Sequence, residues 1–164
     1  MLETLHQVYL ALGSNLGDRL NNMRQALDNL PPEFRLTAIS PVYETDPWGV
    51  IDQPRFLNQA CAGETTLSPQ ALLAYLKAIE MRLGRQPTLQ YGPRLIDLDL
   101  LFYDDLVIET PQLVIPHPHL HERAFVLVPL AQIAPQLRHP RLGKTVSEML
   151  TEVPQTGINL YQSG

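Results

Sequence analysis

The sequence lacks most of what an extracellular or membrane protein would need. It contains one cysteine, Cys61, among 164 residues, so no disulfide can form within the chain and we expect a reducing compartment. No apolar run approaches the ~20 residues of a membrane-spanning helix. Residues 1–12 lack a basic stretch followed by an apolar one, so no secretory signal is visible. These absences predict a cytoplasmic protein that spans no membrane.

An excess of positive charge is also missing. The formal net charge is −5, which argues against broad electrostatic binding to nucleic acid or to an anionic membrane. No sequence feature indicates an obligate protein partner either.

Glycine-rich phosphate-binding loops are absent as well. Gly143-Lys144-Thr145 imitates the end of a Walker A loop, but Arg138 stands where the upstream glycine is required. The segment from Gly13 to Gly17 does not fit the dinucleotide-binding pattern, and no Gly-x-Ser-x-Gly elbow occurs. Any nucleotide chemistry in this chain must therefore use metal ions and arginines.

Proline, in contrast, is abundant. The chain has 15 prolines, and many of them cluster in residues 31–32, 41–54, 87–93 and 111–118. Clusters of this kind predict several stiff, shaped loops, and such loops often carry function.

Hydrophobic periodicity and capping residues predict an α+β fold. Asp18 and Ser68 are suitable N-caps for two helices, and Pro69 suits the first turn of the second one. The predicted order is strand 8–12, helix 19–30, strand 36–45, strand 56–65, helix 69–83 and a strand through residues 97 and 99. This order is typical of the ferredoxin-like βαββαβ sandwich. With 45% hydrophobic residues, we expect one domain over residues 1–164.

A C-terminal extension follows the predicted sandwich. It contains a short hairpin at residues 106–115, an apolar helix near residues 124–134, and a last helix that begins at Thr145. Thr145 and Glu148 form a capping box. A sandwich of this kind has helices on one face of its sheet, so we expect the other face to be lined by the additional segments and loops.

Two carboxylates interrupt an apolar strand. Asp97 and Asp99 are two residues apart and would share one face of the strand, while Ile96, Leu98 and Leu100 enter the core. Neighbouring carboxylates repel each other, so a cation should lie between them. Mg²⁺ held by one or two carboxylates usually completes its coordination shell with substrate phosphates. An exposed sheet edge and a simple Arg–Asp pair are the alternatives.

Basic residues precede this acidic pair. Arg82, Arg85 and Arg94 lie in a stretch without acidic residues. A triphosphate needs both Mg²⁺ on acidic ligands and guanidinium donors for the remaining oxygens. A solvated basic loop is the alternative interpretation.

Three alternating histidines form a second notable run. His117, His119 and His121 would share one face if the chain were extended, which invites a zinc interpretation. The flanking prolines disfavour a regular strand, and no further ligand is close in sequence. An imidazole at His117, with Arg123, is better suited to binding phosphate, and we expect His119 and His121 at the surface.

An aromatic ring and an amide share a face of the third predicted strand. Phe56 could stack on a flat heterocycle while Asn58 pairs with its N–H and C=O edges. Each residue alone is more often part of a core. Phe125, Trp48 and Tyr91 could add aromatic surface.

A series of short motifs is distributed over most of the chain. They are Ala11-Leu12-Gly13-Ser14-Asn15-Leu16-Gly17, Tyr43-Glu44-Thr45 with Gly49, Asp52-Gln53-Pro54, Phe56-Leu57-Asn58, Ile79-Glu80, Gly84-Arg85, Gly92-Pro93-Arg94-Leu95-Ile96-Asp97-Leu98-Asp99, Pro116-His117-Pro118 and Arg123-Ala124-Phe125-Val126-Leu127. With them the chain resembles the 6-hydroxymethyl-7,8-dihydropterin pyrophosphokinases of folate biosynthesis. That resemblance implies a ferredoxin-like fold and transfer of pyrophosphate from ATP to the pterin hydroxymethyl group, leaving AMP.

The resemblance also implies roles for the matching residues. It implies that Asp97 and Asp99 hold two Mg²⁺ ions and that Arg85 and Arg94 act on the phosphates during catalysis. ATP contacts are implied for Glu80, Arg85, Arg94, His117 and Arg123. A pterin pocket is implied for Thr45, Phe56, Asn58 and Phe125.

One departure from the family pattern leaves two other functions open. Members of the family often have more arginines and a tryptophan before Gly-Pro-Arg, where this chain has Pro87, Gln90 and Tyr91. A weakened homologue that only binds pterin or ATP is therefore an alternative. A noncatalytic ferredoxin-like module that reads RNA bases is another, although the negative charge argues against it.

Overall fold

The computed structural model describes residues 4–47, 52–84 and 95–161. These residues contain eight strands, four α-helices and a short 3₁₀ turn at Leu120–Glu122. The strands are β1 His6–Ser14, β2 Arg35–Ile39, β3 Tyr43–Thr45, β4 Phe56–Thr65, β5 Asp97–Tyr103, β6 Ile108–Glu109, β7 Val114–Ile115 and β8 Ile158–Leu160. The helices are α1 Arg19–Asp28, α2 Pro69–Arg82, α3 Ala124–Ile133 and α4 Val146–Thr151.

Six of these strands form one antiparallel sheet. Its order is β5–β1–β4–β3–β8, and β2 pairs with the far part of β4. β1 therefore lies between β4 and β5 and pairs antiparallel with both. β6 and β7 form the separate hairpin that the sequence predicted within residues 106–115. The predicted α+β class is confirmed.

The predicted helix starts are confirmed by their caps. The Asp18 side chain accepts a hydrogen bond from the backbone N–H of Asn21, and Ser68 accepts one from Ala71. The capping box of α4 is complete, because Thr145 and Glu148 each accept a hydrogen bond from the other's backbone N–H. Local sequence signals therefore fix where these helices begin.

The strand predicted over residues 36–45 is interrupted in its middle. The segment forms two strands instead: β2 pairs with residues 61–64 of β4, and β3 pairs with residues 56–58. Both strands run antiparallel along the same edge of β4 and are interrupted at Ser40-Pro41. Pro41 has no N–H to give to a ladder. Beside it, Ser40 donates its backbone N–H to the Ala60 carbonyl at 2.9 Å, and its hydroxyl accepts the Ala60 N–H at 2.9 Å.

The sheet buries a different hydrophobic cluster on each face. Helices α1 and α2 cover one face with a first cluster that includes Leu10, Leu12, Met23, Leu72, Leu76, Leu98 and Leu100. Helices α3 and α4 cover part of the other face with a second cluster that includes Ala60, Leu101, Phe102, Leu127, Leu130 and Met149. The extension therefore forms a packed layer on the second face, where we expected lining by additional segments and loops.

A β-bulge in β5 directs adjacent side chains to different hydrophobic clusters. Tyr9 pairs with Phe102 and Leu10 with Leu100, so Leu101 is an extra residue in β5. Leu100 belongs to the first cluster, whereas Leu101 and Phe102 both belong to the second. The bulge thus changes which face each side chain meets towards the end of the strand. Among the described helices, none is long and apolar enough to cross a membrane.

Candidate active site

The two acidic side chains of β5 project from the second face of the sheet. Asp97 pairs with Gly13 and Asp99 with Ala11 on β1. Leu98, which lies between them, enters the first cluster on the opposite face. Asp97 is half-buried and Asp99 is exposed. The alternation predicted from the sequence is confirmed, and both carboxylates face the same side.

The same row of the sheet continues from Asp97 to an amide. Gly13 pairs with Asp97 on one side and with Asn58 on the other, and paired residues of antiparallel strands have side chains on one face. A β-carbon at Gly13 would lie 3.0 Å from the Asn58 Oδ1 and 3.8 Å from the Phe56 ring. The missing side chain at Gly13 therefore leaves room beside both groups.

The orientation of the Asn58 amide is fixed by a threonine. Asn58 Nδ2 donates a hydrogen bond of 2.6 Å to Thr45 Oγ1, and both residues are buried. Thr45 itself pairs with Phe56 in the ladder between β3 and β4. With Nδ2 donating to Thr45, Oδ1 lies towards Gly13. The structure thus brings Thr45, Phe56 and Asn58 together, and their role in binding a pterin stays a prediction.

Phe125 and Arg123 lie at the start of α3. The guanidinium carbon of Arg123 lies 5.8 Å from the centre of the Phe125 ring. Phe125 is half-buried and packs against the second cluster. Both residues are therefore on the layer that covers the second face, which is the face of the two aspartates.

Glu80 is a buried carboxylate behind the acidic strand. It lies near the end of α2 with only 4% of its surface exposed. Its Oε2 accepts a hydrogen bond of 2.8 Å from the backbone N–H of Leu98, the residue between the two aspartates. Glu80 therefore holds the strand from which they project, a contact that the sequence did not predict. Its contact with ATP stays a prediction.

His117 is anchored beside β5 and has one ring nitrogen occupied. Its backbone N–H donates to the Leu101 carbonyl at 3.0 Å, and its Nδ1 accepts the backbone N–H of His119 at 3.3 Å. Burial, followed by the positive charges of Arg123 and His119, lowers the pKa of His117 to about 4. Near neutral pH the ring is therefore uncharged, and its Nε2–H is the available donor.

The zinc interpretation of the histidine run gains no support. Within residues 4–47, 52–84 and 95–161, no group of three or more His, Cys, Asp or Glu side chains is arranged to hold a metal ion. His119 and His121 instead approach Glu122, at 3.4 and 3.5 Å. A magnesium site of two carboxylates, completed by substrate oxygens, does not need three protein ligands.

Two predicted site residues cannot be located. Arg85 and Arg94 lie outside the described residues, as do Trp48 and Tyr91. Arg82 is at the exposed end of α2. The arginine part of the predicted triphosphate site therefore stays a prediction.

Sequence reasoning assigned no role to Asn15, which proves to connect two parts of the site. Asn15 is buried, and its Nδ2 donates to Gln53 Oε1 at 2.8 Å and to the Pro54 carbonyl at 3.0 Å. It thus ties the end of β1 to the segment that leads into Phe56. The only signal in the sequence was the motif Gly13-Ser14-Asn15 itself.

Comparisons with known proteins agree on one family. Residues 9–135 match the family model described as 7,8-dihydro-6-hydroxymethylpterin-pyrophosphokinase. The chain is 46% identical over 156 residues to the 2-amino-4-hydroxy-6-hydroxymethyldihydropteridine pyrophosphokinase of Pseudomonas aeruginosa, covering 94% of this chain and 96% of that protein. It is 42% identical over 145 residues to the Aquifex aeolicus protein of the same name, covering 88% and 91%.

Other relatives are longer than this chain. It is 50% identical over 131 residues to the mitochondrial folate synthesis bifunctional protein of Arabidopsis thaliana, covering 79% of this chain but 24% of that protein. The crystal structure of Plasmodium falciparum HPPK-DHPS with pteroate shares the fold, with a TM-score of 0.75 at 17% identity, over 93% of this chain and 43% of that one. The chain thus spans less than half of that solved protein.

Proposed function

The chain belongs to the 7,8-dihydro-6-hydroxymethylpterin-pyrophosphokinase family, and we propose that it transfers pyrophosphate from ATP to the hydroxymethyl group of 6-hydroxymethyl-7,8-dihydropterin. AMP is the second product, and the reaction belongs to folate biosynthesis. One observation carries this proposal for the chain's own residues: the acidic pair and the Thr45–Asn58 pair lie on one face of the sheet, separated only by the side-chain-free Gly13.

The acidic pair is the proposed magnesium site. Asp97 and Asp99 supply hard oxygen ligands on one face, and Mg²⁺ is expected to complete its coordination with phosphate oxygens and water. Bound there, two Mg²⁺ ions would neutralise charge on the phosphates of ATP. Glu80 contributes by holding Leu98, and therefore the strand between the two ligands.

The proposed pterin pocket is formed by Thr45, Phe56, Asn58 and Phe125. The Thr45 hydroxyl orients the Asn58 amide so that Oδ1 can accept hydrogen bonds from ring N–H groups. The rings of Phe56 and Phe125 would stack on the faces of the heterocycle. These contacts would orient the hydroxymethyl group for in-line attack on the β-phosphorus, which makes positioning a large part of catalysis.

The remaining ATP contacts are proposed for basic and imidazole groups. Arg85, Arg94 and Arg123 can give several N–H donors to phosphate oxygens, and Arg85 and Arg94 would stabilise the transition state. His117 would donate from Nε2 as a neutral ring, which fits its occupied Nδ1. Glu80 is retained as a proposed ATP contact.

We further propose that residues 1–164 form one domain of ferredoxin-like type with a C-terminal extension. The support is the order β5–β1–β4–β2 together with two helices on one face of the sheet, which matches the βαββαβ arrangement. Strand β8 and helices α3 and α4 would belong to the extension.

An assay of AMP release tests the proposed function. The purified chain is incubated with ATP, Mg²⁺ and 6-hydroxymethyl-7,8-dihydropterin, and AMP is measured with and without the pterin. Pterin-dependent AMP formation that needs Mg²⁺ is the expected result. Binding of ATP and pterin without AMP would indicate the weakened homologue instead, and tight binding of single-stranded RNA would favour the nucleic-acid module.

A further inference from the structure

The strand nearest the C-terminus is an edge strand beside the proposed pterin pocket. β8 pairs with β3 so that Ile158 lies opposite Thr45 and Leu160 opposite Tyr43. Two further backbone hydrogen bonds extend this ladder, from Asp46 N–H to the Gly157 carbonyl at 3.0 Å and from Tyr161 N–H to the Val42 carbonyl at 2.9 Å. The three-residue strand β3 is thus held from both sides, by β4 and by β8.

A glycine lets this strand approach the end of β3 closely. Gly157 has a φ of +77°, and a β-carbon there would lie 2.2 Å from Asp46 Oδ2 and 2.8 Å from Asp46 Cγ. The same Asp46 carboxylate approaches Arg55 Nε at 3.5 Å. Asp46 and Arg55 follow β3 and precede β4, so the close approach lies directly beside Thr45 and Phe56.

An arginine connects the same strands from the other side. Arg19 Nη1 donates to Glu44 Oε2 at 2.8 Å and to the Arg55 carbonyl at 3.0 Å. Its guanidinium carbon lies 5.7 Å from the centre of the Tyr161 ring, close enough for a cation–π contact. Arg19 therefore contacts β3, the residue before β4, and the residue after β8.

We propose that β8 positions the pterin pocket by fixing β3, and with it the Thr45 hydroxyl that orients the Asn58 amide. A three-residue strand paired on one side only would have few hydrogen bonds to hold its register. This inference rests on the proposed function, because it assigns β8 an effect on the pterin and not on ATP. Residues 157–161 act through β3 and are positioning residues.

The test compares two glycines that share a backbone conformation. Gly157→Ala places a methyl group against the Asp46 carboxylate, which would have to move and give up its approach to Arg55, whereas Gly143, with a φ of +73°, has nothing within 4 Å of an added β-carbon. Gly143→Ala therefore reproduces the conformational strain without the clash. Gly157→Asn is a second variant, because asparagine tolerates positive φ better than alanine does.

Steady-state kinetics provides the first measurement. We expect Gly157→Ala and Gly157→Asn to raise the KM for the pterin about three- to ten-fold, equivalent to one weakened hydrogen bond. The KM for ATP is expected to stay within about two-fold in both. Gly143→Ala should leave both constants unchanged. Equal changes of both KM values, or the same effect in Gly143→Ala, would overturn the inference.

Amide hydrogen exchange without substrates provides the second measurement. Faster exchange at Thr45 and Asp46 in the Gly157 variants, together with the pterin-specific change in KM, supports the inference. Faster exchange with an unchanged KM for the pterin would overturn it, since β3 would then loosen without affecting the pocket. A wild-type chain that releases no AMP would overturn the proposed function, and this inference with it.

Discussion

The second face of the sheet has two ends that differ in what covers them. At one end the strands present Ala60, Leu101 and Phe102, and helices α3 and α4 bury them in a hydrophobic cluster. At the other end the same strands present Asp97, Gly13 and Asn58, which belong to neither hydrophobic cluster. The residues on the face, and not the sheet itself, therefore decide which end packs and which end binds.

The two ends should also respond differently to substitution. Burying apolar side chains stabilises the fold, whereas covering carboxylates with an apolar layer would destabilise it. We thus expect substitutions at the apolar end to change stability and substitutions at the polar end to change catalysis. Substitutions at each end can show whether stability and catalysis are separable in this sheet.

The largest effect is expected at the acidic pair. Asp97→Ala or Asp99→Ala should lower kcat by about 10³-fold or more, because each removes a proposed ligand for Mg²⁺. The free energy of unfolding should change by less than about 1 kcal/mol, since neither side chain is fully buried. Kinetics and urea denaturation measure the two quantities. Asp105→Ala, an exposed acid after β5, is the matched control, and full activity in either site variant would refute the assigned role.

At the apolar end the pattern should be reversed. Leu101 is 1% exposed, so Leu101→Ala should lower the free energy of unfolding by about 2–5 kcal/mol. The kinetic constants of the folded protein should stay near those of the wild type. Val107→Ala, at an exposed position, should stay within about 0.5 kcal/mol. Loss of catalysis in a stably folded Leu101→Ala protein would show that the two ends are not separable.

Glu80 connects the helix layer of the first face to the acidic pair. Glu80→Leu removes the acceptor for the Leu98 N–H and should lower kcat about ten-fold while raising the Mg²⁺ concentration needed for half-maximal rate. Glu80→Gln keeps an acceptor oxygen and should recover most of the rate. Magnesium titrations at saturating ATP separate the two variants. If Glu80→Gln were as impaired as Glu80→Leu, the negative charge would matter instead of the hydrogen bond.

The most gradual effect concerns His117 and pH. Its pKa is about 4 in the folded protein against an ordinary value of 6.5, so the unfolded chain binds more protons between these values. The free energy of unfolding should therefore fall as pH decreases from about 6.5 towards 4, by at most about 1.4 kcal/mol per pH unit from this group. Above that window His117 adds no slope. Urea denaturation of the wild type and His117→Gln should give a shallower pH dependence in the variant, and identical slopes would contradict the assignment.

Much of the fold could be predicted because its signals are local. Asp18, Ser68 and the pair Thr145–Glu148 mark helix starts through contacts within three residues. The alternation around Asp97 and Asp99 correctly predicted a shared face, since strand periodicity depends on neighbours only. The shared face of Phe56 and Asn58 followed for the same reason and is confirmed by their register with β3.

The features that were missed depend on distant partners. β8 is three residues long and becomes a strand by pairing with Tyr43–Thr45, more than a hundred residues earlier. The bulge at Leu101 depends on how β1 presents its hydrogen-bonding groups. The Glu80–Leu98 contact joins helix α2 to strand β5 across 18 residues of sequence. No periodicity within a short window carries this information.

Strand β1 lies between the two halves of the site and pairs with both. Adjacent strands are about 4.8 Å apart, so Asp97 and Asn58, both opposite Gly13, are about 10 Å apart as a matter of backbone spacing. The backbone ladders thus set the distance between the proposed phosphate side and the proposed heterocycle side. Insertions in the surrounding loops would leave this distance unchanged. Those loops can therefore diverge while the proposed reacting groups keep their separation.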